Sequence, residues 1–65
     1  MGDADRAEAE ILVRGERCKV VARRSKDRWE ASGTFWGKLV TVSRAASAAQ
    51  AFEWWTNKAQ MQQRD

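Results

Sequence analysis

Between Glu10 and Arg24 two runs of alternating apolar and polar residues flank a glycine, the pattern of a β-hairpin. A two-residue loop at Gly15-Glu16, glycine first, suits a type II′ turn. That register pairs Arg14 with Arg17, Val13 with Cys18, Leu12 with Lys19 and Ile11 with Val20. One face then carries Ile11, Val13, Cys18, Val20 and Ala22, and the other Leu12, Arg14, Arg17, Lys19, Val21 and Arg23. The separation is clean, and a slip of one residue would scramble it. Arg14 opposite Arg17 is a like-charge pair and counts against the register.

Ser25-Lys26-Asp27 has turn chemistry, and a third strand follows from Arg28 to Thr34, with Trp29, Ala31 and Gly33 inward. Phe35-Trp36-Gly37 reads as a second reversal and Lys38–Ser43 as a fourth strand. Its facing stays open: a loop at Trp36-Gly37 turns Val40 and Val42 inward, whereas a three-residue loop turns Leu39 inward. From Ser47 the period changes. Ser47 and Gln50 form an S-x-x-Q capping box, and Ala48, Ala51, Phe52, Trp55 and Ala59 share one stripe at about 100° per residue. The expected core joins Trp29, Val20, Phe52 and Trp55. Trp54 and Met61 fall together outside the stripe, and the helix should fray near 62–65.

The fold class expected is therefore α+β: an antiparallel sheet of three or four strands with one C-terminal helix packed on one face. At 65 residues there is room for one core only. Charge divides the chain unevenly: residues 1–10 carry −3, residues 11–44 carry +6, and residues 45–65 are neutral. Residues 1–9 accordingly read as an acidic flexible or transiently helical tail, and 10–63 as a single small α+β domain. The opening Met1-Gly2-Asp3-Ala4-Asp5 is acidic where a signal peptide is basic, and the early apolar run is only Ile11-Leu12-Val13. A cytoplasmic protein with a reduced thiol, and no membrane segment, is the expectation.

The string Arg28-Trp29-Glu30-Ala31-Ser32-Gly33, followed by Gly37 and by Ala51, Trp55 and Ala59, resembles a set of short uncharacterised bacterial proteins built as a β-meander ending in one helix. The likeness spans about Val20 to Ala59. It implies the fold and no activity. In shape alone the pattern is similar to the three-stranded-sheet-plus-helix DNA-binding domains of phage-type integrases and of plant transcription factors, which read DNA with the exposed sheet face. None of their motifs stands in this chain, and a fourth strand departs from their pattern.

The chemistry points away from catalysis. With no histidine, Cys18 has no imidazole to activate it, and its inward position makes it a core thiol. One cysteine excludes an internal disulfide and a multi-cysteine metal cage. Asp27 and Glu30 read as surface partners of Lys26 or Arg28. Gly33 and Gly37 precede a strand rather than a helix, so they make no phosphate loop. No cofactor and no metal are expected.

Binding is the better-supported class. Arg14, Arg17, Lys19, Arg23 and Arg28 gather on the expected outer face, with Arg24 and Lys26 at the adjoining turn. Such a cluster on a ribbon is the electrostatic footprint of a nucleic-acid binder. The plain alternative is that these charges solvate the open side of a one-faced sheet and keep its edges apart. A reading from a different class makes Trp54 and Met61 a protein-interaction or homodimerising flank. The expectation is thus a non-catalytic binding module, with nucleic acid the most specific partner and a second copy or another protein the rival.

Overall fold

A computed structural model describes residues 5–62 of the chain; the first four and last three residues, where parts of the acidic opening and the fraying end were placed, lie outside them. Four strands, β1 (Arg6–Val13), β2 (Glu16–Ser25), β3 (Arg28–Phe35) and β4 (Lys38–Ala45), precede a helix, α1 (Ala48–Gln60). The strands form one antiparallel sheet in the order β1-β2-β3-β4, and α1 packs on one face, an α+β architecture. The fold is elongated, with extents of 39 × 21 × 15 Å.

The first hairpin keeps its facing and changes its register. Val13 pairs with Glu16, Leu12 with Arg17, Ile11 with Cys18 and Glu10 with Lys19, so the loop is Arg14-Gly15 rather than Gly15-Glu16. Both loop residues are left-handed, at φ 54 and 81, as a type I′ turn requires. That turn matches the right-handed twist of the flanking strands. Every partner moves by two residues, so Val13, Cys18, Val20 and Ala22 remain buried. Arg14 no longer opposes Arg17, and Glu10 gains a cation opposite it. The sheet also begins earlier than Glu10. Ala7 and Ala9 continue the inward alternation and pair with Ala22 and Val20, which draws Arg6–Ala9 into β1.

At the other hairpin Phe35 belongs to β3 and is 1% exposed, not part of the reversal. The loop is Trp36-Gly37, at φ 55 and 77, which turns Val40 and Val42 inward and leaves Leu39 71% exposed. Beyond Val42 strict alternation would bring Arg44 over the core. Instead the register slips: Trp29 pairs with Ala45 and Ala31 with Val42, so Ser43 and Arg44 together oppose Glu30 in a β-bulge. Arg44 takes φ 69 and stays outside, and Ala45 becomes fully buried.

Ser47 caps α1, its hydroxyl accepting from the Gln50 amide at 3.1 Å. The Gln50 side chain reaches one residue beyond the cap, accepting from the Ala46 amide at 2.7 Å. Ala51, Trp55 and Ala59 are buried, small residues around one large ring. Trp55 fits because β3 offers Gly33 beneath it, where a Cβ would lie 3.0 Å from the indole. The indole N–H donates to the Val40 carbonyl at 2.8 Å, so its one polar atom is satisfied. Of the expected core quartet, Val20 and Trp55 are fully buried, while Trp29 and Phe52 are half-buried at its margin.

Candidate functional site

The face away from α1 is where the sequence places its basic cluster, and register decides what stands there. Across β1 and β2, Leu12 lies beside Arg17, Glu10 beside Lys19, Glu8 beside Val21 and Arg6 beside Arg23. Across β2 and β3, Arg23 lies beside Glu30 and Val21 beside Ser32; Ser32 continues to Thr41 of β4. The face is therefore one of mixed charge. Lys19 and Arg23 each have a carboxylate opposite, and Arg6 is ion-paired with Glu8 at 2.6 Å. Such exposed pairs add little stability, but they lower the local positive potential.

Arg14 leaves this face. From the β1–β2 turn its guanidinium donates to the Gln60 carbonyl at 2.6 Å, at the helix end where unsatisfied carbonyls and the negative end of the dipole favour a cation. It also lies over the Trp36 ring, 5.5 Å from the centroid, and that ring stacks on Phe35 at 4.3 Å. Its place is structural.

The remaining candidates separate by position. Arg17 stands at the β1–β2 turn end with Leu12 opposite, and Lys19 lies mid-face. Arg23, Arg24, Lys26 and Arg28 all belong to the other end, where β2 and β3 meet in the Lys26-Asp27 loop. Arg24 is held by Asp5, its Nε 3.0 Å from the carboxylate and its amide donating to the Asp5 carbonyl at 2.8 Å. Arg6 and the bulge residue Arg44 come to the same end, and sequence pattern assigned neither to it. Arg6 sat in a presumed tail, and a bulge leaves no signature in the alternation. Lys26 and Arg44 are held left-handed, at φ 61 and 69, where glycine or asparagine would be less strained.

A shallow cavity of about 500 Å³ opens beside this end, lined by Arg23, Glu30, Ser32, Thr41, Ser43 and Lys58 among others. Lys58 comes from α1, and its ammonium donates to the Thr41 carbonyl at 2.8 Å. Cys18 is buried, its thiol 3.7 Å from the Glu16 carbonyl. Burial pushes the thiol's pKa up and the Glu16 charge adds to the shift, the opposite of an activated nucleophile. Trp54 is 38% and Met61 78% exposed, on the helix flank that also carries Lys58.

Among the described residues no cluster of acidic or cysteine side chains could hold a metal, and no helix is long and apolar enough to cross a membrane. Comparison with known protein families, curated proteins and solved structures finds no match to this chain.

Proposed function

We propose that the protein is a non-catalytic binding module that engages nucleic acid through the β2–β3 hairpin end. The observation that carries this reading is the exposure of Arg23, Arg24, Lys26 and Arg28 within six residues at the β2–β3 end of the sheet, where Lys26 and Arg28 have no ion-pair partner among the described residues. Lysine and arginine presented at such a turn gain affinity for nucleic-acid phosphates by releasing counterions. The reading narrows the contact from the whole outer face to its end, because Glu8, Glu10 and Glu30 interrupt the face itself. A bacterial, cytoplasmic setting with a reduced Cys18 suits such a module.

Fluorescence anisotropy with random duplex and single-stranded oligonucleotides at low salt tests it. Lys26→Ala and Arg28→Ala should each weaken binding to all sequences and reduce the salt slope by about one, while Arg17→Ala at the far end should leave both unchanged. Absence of saturable binding at about 100 μM protein, the weak limit of non-specific association, would overturn the reading.

The rival is supported by the joint exposure of Trp54 and Met61 on one helix flank. It makes that flank a homodimerising or partner surface. Concentration-dependent sedimentation abolished by Trp54→Glu would favour it.

A further inference from the structure

The two open edges of the sheet are not alike. The Arg24 amide donates to the Asp5 carbonyl, which places the odd-numbered residues of β1 in its hydrogen-bonded pairs with β2. Arg6, Glu8, Glu10 and Leu12 therefore turn their backbone N–H and C=O groups to the open edge. The same alternation carried across β2 and β3 turns Leu39, Thr41 and Ser43 to the edge of β4. That second edge is guarded. Lys58 occupies the Thr41 carbonyl at 2.8 Å, and the bulge at Ser43 and Arg44 bends the strand away from further pairing. β1 has neither device: it is eight residues long, regular, without proline, and its edge groups have no hydrogen-bond partner among the described residues.

We infer that the β1 edge is a docking site for an extended segment of another protein, one carrying cationic side chains at two alternate positions. The backbone of the incoming strand would pair with Glu8 and Glu10, the mode by which a free sheet edge takes a peptide. Its two cations would lie opposite the Glu8 and Glu10 carboxylates on the outer face, where a shallow groove of about 320 Å³ is lined by Glu8, Ala9, Glu10 and Lys19. On the inner face Ala7, Ala9 and Ile11 are half-buried at the margin of the core, which an aliphatic side chain between the two cations would extend.

A second copy is a poor occupant for electrostatic reasons. An antiparallel β1–β1′ pair about a two-fold axis at Ala9 sets Glu8 against Glu10 twice, and an axis at Glu8 or Glu10 sets that residue against itself. An axis at Ala7 sets Arg6 against Glu8 instead, but overlaps only the first three residues of β1, and one at Ile11 overlaps only its last five. The glutamates thus disfavour the longer self-pairings and favour a basic strand, whose cations would compete with Arg6 for Glu8 and share Glu10 with Lys19. This inference is independent of the nucleic-acid reading, whose residues lie at the β2–β3 end.

The test titrates the full chain, labelled with ¹⁵N, with an amidated octapeptide alternating valine with polar residues. One form carries lysine at its two central polar positions and a control carries glutamate there. The lysine peptide should bind at least tenfold more tightly and slow amide exchange at Glu8, Glu10 and Leu12 by at least tenfold, leaving Leu39 and Thr41 unchanged. The double variant Glu8→Lys/Glu10→Lys should reverse the preference; if it fails to fold, the two-peptide comparison on the wild-type chain stands alone. Equal binding of both peptides, protection at the β4 edge instead, binding without protection at β1, or no saturable binding would each overturn the inference.

Discussion

Replacing Gly33 by alanine tests how the helix seats on the sheet. Gly33 is not left-handed, so alanine is conformationally admissible there and any cost is one of space. A Cβ at this position would lie 2.9 Å from the Lys19 carbonyl oxygen, 3.0 Å from Trp55 Cζ2 and 3.1 Å from Val20 Cγ2. The first of these is backbone of the neighbouring strand, and the second is a fully buried ring pinned by its hydrogen bond to Val40, so neither gives way cheaply. Overpacking of this kind costs about 1–3 kcal/mol. The alanine's smaller loss of backbone entropy returns roughly 0.5–1 kcal/mol. With two unyielding contacts the cost lies in the upper half of that range, about 2–3 kcal/mol, and the net loss should be about 1–2.5 kcal/mol, a large share of the roughly 3–10 kcal/mol expected of a domain this size. Thermal unfolding followed by circular dichroism should show Tm lowered by about 5–15 °C. A cycle with Trp55→Phe separates the two clashes. If the indole is the unyielding partner, the double variant should lose about 1 kcal/mol less than the sum of the singles. An unchanged or raised Tm for Gly33→Ala would refute the close seating of Trp55 on β3.

Trp55→Ala removes the largest fully buried side chain and leaves a cavity between α1 and the sheet; a loss of about 3–5 kcal/mol is expected, and an unchanged denaturant midpoint would place Trp55 outside the core. The Cys18 thiol, its pKa raised first by burial and second by Glu16, contributes stability that is complete below the unfolded thiol's pKa of about 8.5 and is lost as pH rises through the higher folded value. Denaturation midpoints should therefore fall more steeply above that pH for the wild type than for Cys18→Ala; identical profiles would show the thiol to be uncoupled from folding.

The alternation of apolar and polar residues was enough to specify a meander of three or four strands, the inward faces of β2 and β3, and the helix stripe with its Ser47 cap. Each of these follows from the period of a single element and from local capping chemistry. What the pattern left open was register. A two-residue change of partner preserves every facing, so alternation could not distinguish a loop at Gly15-Glu16 from one at Arg14-Gly15. Only the twist of the paired strands and the opposition of Glu10 to Lys19 decide it. The same limit governed the candidate site. Arg6 and Glu8 read as tail because alanines between charges carry little strand signal, yet a partner strand recruits them and, with Glu10, turns a basic face into one of mixed charge. Arg14 read as a face residue and became a helix cap, because its partner is a carbonyl 46 residues away. The bulge that keeps Arg44 out of the core, and the unequal guarding of the two edges, likewise arise only when elements distant in sequence meet. Periodicity reports what each segment turns toward the core; which charges become neighbours is settled by pairing, and pairing is a property of the assembled sheet.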